Sequence, residues 1–93
     1  MTDSSAQARI FKVLSVETRL RMLNLLKKRA LCVIALANAL EITPAAVSQH
    51  LRILRDANAV IADKRGYFVH YRANTETLAS WATVVAGLLE SDD

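Results

Sequence analysis

The residues of this chain best suited to chemistry lie between Thr43 and Arg52. A helix advances about 100° per residue, so Ser48, Gln49 and Arg52 fall within about 60° of Ala45 on one face. Ala46 lies at the edge of that face. Val47, Leu51 and Leu54 fall on the opposite side and form an apolar stripe. A hydroxyl, an amide and a guanidinium among small residues suit a helix laid in a DNA major groove. Alanine lets the backbone approach, while Gln and Arg can pair with base edges in bidentate fashion. An ordinary amphipathic surface helix divides its faces in the same way, so this helix alone leaves both readings open. Catalysis finds less support. Ser48 and His50, the available nucleophile and base, sit two residues apart and point roughly 160° away from each other. The expectation is a protein that binds and is not an enzyme.

Metal chemistry is also thinly provided. The chain has one cysteine and two histidines. Cys32 lies in the apolar run Leu31-Cys32-Val33 and reads either as a small buried hydrophobe or as a thiol sensor. One thiolate per chain falls short of the multidentate soft site that tight metal binding needs. His50 falls at the flank of the recognition face, and His70 falls on a strand as a cross-strand partner. No metal site and no cofactor is expected.

These residues need elements to position them. Ile10, Val13 and Leu14 have helical spacing, predicting a first helix over about 5–14. Ser15 is a capping candidate for a second helix over about 16–29, with Glu17 in its first turn and Leu20, Leu23 and Leu26 facing inward. Arg19, Arg21, Lys27 and Lys28 fall mostly on other faces. Residues 30–33 read as a short strand. A third helix over about 34–40 turns Leu36, Ala37 and Leu40 inward. Thr43-Pro44 then supplies a capping hydroxyl and a proline at the first helical position, opening a fourth helix that runs to about Asn58. Residues 60–73 are rich in β-branched and aromatic side chains with Arg65-Gly66 at their centre. They predict an antiparallel hairpin with a basic tip, Lys64 and Arg65, and Arg72 further down. Thr75 or Thr77 can cap a last helix over about 75–90. Leu78, Trp81, Ala82, Val85, Leu88 and Leu89 recur along it at spacings of three and four.

Charge follows the same layout. Residues 1–30 carry seven basic and two acidic side chains, a balance of +5. Residues 43–72 carry five basic and two acidic, a balance of +3, while residues 73–93 carry four acids and no base. A basic body with an acidic end fits a nucleic-acid binder whose far end faces away from phosphate. At 93 residues the chain is one domain at most, and a domain of that size buries only about two-thirds of its unfolded surface. Yet 53% of its residues are hydrophobic, and its mean hydropathy is +0.20. Apolar side chains beyond the needs of one small core predict a subunit interface. Two glycines and one proline exclude a low-complexity chain. No run reaches the roughly 18 apolar residues of a membrane span, and the opening stretch lacks a secretory pattern. These features point to the cytoplasm.

Four segments in order give the chain a family resemblance. LSVETRLRMLNLL (14–26), LCVIALANAL (31–40), TPAAVSQHLRILRDANAV (43–60) and KRGYFVHYR (64–72) resemble the winged helix-turn-helix of the ArsR/SmtB transcriptional repressors. With the flanking helices, the resemblance covers nearly the whole chain. It implies one mainly helical domain over residues 1–93, ordered α1-α2-α3-α4-β-β-α5. It also implies a homodimer paired through its first and last helices, which binds double-stranded operator DNA until an effector releases it. On that reading Thr43, Ala45, Ala46, Ser48, Gln49 and Arg52 lie at or near DNA, and Lys64 and Arg65 touch phosphate or the minor groove. Ile10, Val13, Leu78, Trp81, Val85, Leu88 and Leu89 would form the dimer interface. Two departures matter. Family members often have glycine in the turn where this chain has Glu41. The Cys-Val-Cys pair of metal-sensing members reads Cys32-Val33-Ile34 here, and residues 75–93 hold neither His nor Cys for the family's other metal site. A metalloid-, metal- or thiol-responsive repressor sensing through Cys32 is the alternative. A winged helix used for protein–protein contact is the rival from another class, and the groove face is neither acidic nor apolar enough to favour it.

Overall fold

Three short helices with apolar residues three and four apart can bury those rows only against one another. The computed structural model describes residues 4–91 and has them do so. Its elements are α1 (Ser4–Leu14), α2 (Glu17–Leu26), α3 (Val33–Leu40), α4 (Pro44–Asp56), β1 (Val60–Arg65), β2 (Phe68–Ala73) and α5 (Thr75–Leu89). Met22, Leu23 and Leu26 of α2 meet Leu36, Ala37 and Leu40 of α3 and Val47, Leu51 and Leu54 of α4. Ala59, Val60 and Ala73 close this core at the base of the hairpin. The α3 and α4 stripes are those the spacing predicts.

The second helix departs from expectation. Arg19, Met22, Leu23 and Leu26 make its buried row, and Leu20 lies about 100° from Arg19 with 43% of its surface exposed. Arg19, expected outside, is only 7% exposed. Its Nη2 donates to the Lys12 carbonyl at 3.4 Å, tying the start of α2 to the end of α1. Ser15 does not cap α2; its hydroxyl donates to the Lys12 carbonyl at 3.0 Å, and Val16 takes the cap position without a side-chain bond. The helix also ends at Leu26, three residues early, although Lys27, Lys28 and Arg29 still donate to carbonyls at Leu23 and Leu25.

Other boundaries were closer. Leu31 forms one bridge to Tyr71, with bonds of 2.9 and 2.8 Å, where a short strand was expected. Thr43 caps α4 as predicted, its Oγ1 accepting from the Ala46 amide at 3.1 Å. Asn74, rather than Thr75 or Thr77, caps α5 by accepting from the Thr77 amide at 3.3 Å. Asparagine sits in extended backbone there, with the shorter carbonyl reach that a cap favours. Glu41 ends α3 at φ 56°, a left-handed conformation that costs a residue with a Cβ about 1 kcal/mol relative to glycine. Asn58, at φ 64°, ends α4 in the same way, and its Nδ2 donates to Thr77 Oγ1 at 3.3 Å. That bond anchors the end of α4 to the start of α5.

Helices α1 and α5 pack on each other outside this core, and Gln7 Nε2 donates to the Val84 carbonyl at 3.4 Å. None of the 15 residues of α5 is buried. The molecule is accordingly long, 51 × 23 × 20 Å, with a radius of gyration of 14.4 Å. A compact domain of this length would have a radius of about 12 Å. Among the described residues, no helix is long and apolar enough to cross a membrane.

Candidate nucleic-acid interface

The candidate site is built on α4, the second helix of a helix–turn–helix. Its apolar side, Val47, Leu51 and Leu54, is locked in the core, so its orientation is set by packing. The opposite side faces outward: Ala45, Ser48, Gln49 and Arg52 are exposed, Thr43 is exposed at the cap, and Ala46 is half-buried at the edge. The six residues singled out on this segment therefore lie together. The proline and the Thr43 cap set the start of the helix, leaving the short residues at its first turn and the long ones behind.

Strands β1 and β2 pair antiparallel from Val60 opposite Ala73 to Arg65 opposite Phe68, leaving Gly66 and Tyr67 as the loop. Gly66 has φ +63°, the conformation the tight turn was expected to demand. Lys64 and Arg65 are exposed near the tip. Tyr71, half-buried against the core and bridged to Leu31, fixes the hairpin to the body. Ser48, Leu51, Arg52, Arg55, Asp56 and Tyr71 line a depression of about 270 Å³ where α4 meets the hairpin. Arg55 is thus a cation on this side that the sequence reading did not single out, although its spacing of three from Arg52 was available. Arg72 is not a free cation: its Nε is 3.2 Å from the Asp63 carboxylate across the strands.

The residues weighed for metal chemistry do not gather. Among the described residues no group of three or more His, Cys, Asp or Glu could hold a metal ion. Cys32 is a half-buried free thiol at the N-cap position of α3, on a different element from either histidine. His50 and His70 are half-buried on α4 and β2, each with a buried Nδ1 that has no partner.

On the far side, α1, the end of α4 and α5 enclose an open cleft of about 620 Å³, floored by Ile10, Val13, Ile53, Trp81 and Val84. Leu78 and Trp81 are half-buried against the core, whereas Leu89 is 74% exposed and Leu88 is also exposed. Ile10 is only 5% exposed within its own subunit, so it backs this face and offers little surface of its own.

The arrangement is shared with known proteins. Residues 17–62 match the model of the bacterial regulatory proteins of the arsR family. The transcriptional repressor SmtB homolog of Synechocystis is 33% identical over 93 residues, 99% of this chain and 70% of that protein. The chain belongs to the arsR family. That family is one of transcriptional regulators, not enzymes. A second relative, the arsenical resistance operon repressor of Escherichia coli K12, is 36% identical over 77 residues, covering 82% of this chain. The match takes in 65% of that repressor, so this arsR-family chain spans about two-thirds of the length of such relatives. Its fold is also that of a solved structure from Mycobacterium bovis, the homodimeric winged helix-turn-helix DNA-binding domain of a possible ArsR-family regulator. The two agree with a TM-score of 0.73 at 28% identity, over 92% of this chain and 81% of that one. The mainly helical winged helix-turn-helix expected from the sequence is therefore the fold observed.

Proposed function

We propose that this arsR-family chain is a transcriptional repressor that binds operator DNA as a homodimer. The observation that carries the reading is the exposed row Ser48, Gln49 and Arg52 on a helix whose other side is locked in the core, beside a cationic hairpin. A rigidly held helix presenting an amide and a guanidinium can enter a major groove and pair with base edges. Thr43, Ala45 and Ala46 would border the backbone, and Lys64 and Arg65 would neutralise phosphate. The repressor names carried by its relatives support the direction of regulation. The test begins with a random duplex pool, from which rounds of binding to the full chain should select a sequence with related half-sites. On that selected duplex, replacing Lys64 and Arg65 together by alanine should flatten the slope of log affinity against log salt by about two per subunit at most. An unchanged slope means that the hairpin tip does not meet phosphate.

Dimerisation completes the reading. Residues 1–93 would act as one unit whose terminal helices, about 5–14 and 75–90, pair with those of a second copy. The unburied face of α5 gives the support: Leu78, Trp81, Val85, Leu88 and Leu89 would leave an apolar strip in water on a monomer, with Val13 and Ile10 beside it. The M. bovis domain, itself homodimeric, supports the same arrangement. Two recognition helices related by a two-fold axis would then enter major grooves about 34 Å apart. Sedimentation at micromolar concentration should give the mass of two chains, and a single-chain mass would remove the interface from the proposal. In this reading Cys32 packs at the start of α3 and does not sense a metalloid.

A further inference from the structure

The first helix carries a charge where its spacing calls for apolar side chains. Ala6, Arg9, Ile10 and Val13 stand at i, i+3, i+4 and i+7, one row of a helix. That row lines the cleft of about 620 Å³ that α1 forms with α5 and the end of α4. Arg9 is exposed, and exposed Lys12 also borders the cleft. Arg9 Nη1 donates to Ser5 Oγ at 3.1 Å, and among the described residues no carboxylate pairs with either cation. The end of α4 contributes Ile53, Asp56 and Ala57, and α5 contributes Ser80, Trp81 and Val84. The cleft therefore combines an apolar floor and one aromatic ring with two cations on the α1 wall and one acid on the α4 wall.

This chemistry indicates the occupant. The volume lies within the range of small-molecule sites, about 300–1,000 Å³, which are mostly apolar with a few placed polar groups. A guanidinium pairs with a carboxylate in bidentate fashion, and a flat apolar body suits the Trp81 ring. Asp56 repels a second acid and so directs the carboxylate of a ligand toward α1. A second copy of the chain fits less well. It would take Arg9 and Lys12 out of water with Asp56 alone to answer them, and buried unpaired charge is costly. Nor does the apolar strip of α5 bring a second copy here. At 100° per residue, Val84 lies about 120° and Ser80 about 160° from the middle of the strip Leu78, Val85 and Leu89, with Trp81 between the two faces. A homodimer can cover that strip and leave this wall open.

We propose that the cleft binds a flat organic carboxylate, its acid group on Arg9 and Lys12 and its apolar body on Trp81, and that binding weakens the hold on DNA. The cleft touches the end of the helix that carries Gln49 and Arg52, and also both terminal helices. A ligand wedged between them shifts α4 against α1 and α5, and with it the spacing of two recognition helices in a dimer. The effect on DNA rests on the reading of the chain as a DNA-binding protein; the binding site does not.

Trp81 is the single tryptophan of the chain, so its fluorescence reports this cleft directly. The probes are 4-phenylbutyrate and the uncharged 4-phenylbutanamide, titrated into the full chain. The acid should change the tryptophan emission saturably, and the amide should bind about tenfold more weakly for want of a charge-assisted pair. Arg9→Gln should remove most of that preference while leaving amide binding and the melting temperature as in the wild type. Ser80→Phe, at an exposed position, should block both probes without changing the sedimenting mass. Saturating acid should weaken binding to the selected duplex about fivefold or more, the range of coupled sites. No saturable change in the wild type overturns the proposal, as it would if a second copy filled the cleft. Equal binding of acid and amide, or an unaltered preference in Arg9→Gln, overturns the carboxylate site. Unchanged DNA affinity at saturation overturns the regulatory role. A random pool that yields no preferred duplex overturns the DNA-binding reading, while the fluorescence titration still decides the cleft.

Discussion

Gln49→Ala and Arg52→Ala should each cost roughly 1–3 kcal/mol of binding to the selected duplex while leaving binding to random-sequence DNA nearly intact. Both side chains are exposed on the outward face of α4 and make no hydrogen bond within the described fold that would have to be broken. The helix beneath them is held by three core residues, so truncating its outer side chains should leave the backbone where it is. What is lost is base pairing by the side chain, a sequence-dependent quantity. Phosphate attraction, the sequence-independent part, changes only through the single charge of Arg52, so its variant should also lose about one unit of salt slope. Competition binding against selected and shuffled duplexes separates the two contributions. Losses of equal size on both duplexes would remove the base-reading role.

Leu54→Ala should lower unfolding stability by about 2–5 kcal/mol, the range for deleting a fully buried leucine. Leu54 has no exposed surface, and its helix is the one that must present Gln49 and Arg52. It belongs to the same cluster as Met22, Leu36 and Val60, so one cavity would loosen α2, α3, α4 and the root of the hairpin together. A domain of this size has only about 5–15 kcal/mol to lose. Urea unfolding at fixed protein concentration measures the change, because dimerisation makes stability depend on concentration. The corresponding change at Ile53, which is 42% exposed, should be smaller. A similar loss at both positions would mean that the α4 stripe does not anchor the helix.

Local periodicity along the chain accounts for much of this fold. Val47, Leu51 and Leu54 repeat at helical spacing after a Thr-Pro start, and they are buried. The same spacing put Ser48, Gln49 and Arg52 on one outward face, and β-branched runs around Gly66 gave the hairpin, although its loop is Gly66-Tyr67 and Arg65, expected at the tip, is the last residue of β1, paired with Phe68. These features were legible because helix pitch and strand pleat are properties of the backbone, independent of what lies across the core. The four ordered segments made the family legible too.

Other features depend on contacts between distant parts of the chain. In α2 two apolar rows compete, and only the positions of α1 and α3 selected Met22 with Arg19 over Leu20. Caps went to whichever side chain the chain path brought within reach of free amides, hence Asn74 before α5 and a Ser15 that serves α1 instead. Residues 30–33 could not declare one bridge to Tyr71, since its partner lies forty residues away. Tyr67 and Arg55 were visible as letters, but the exposure of Tyr67 and the place of Arg55 beside the hairpin depend on how the strands meet each other and α4. The apolar stripe on α5 showed the same limit: periodicity marked a face to be buried, and only the packed subunit revealed that its own core covers Leu78 and Trp81 in part and leaves Leu88 and Leu89 exposed. Helical spacing states that a face is apolar; what covers that face is a long-range property of the fold.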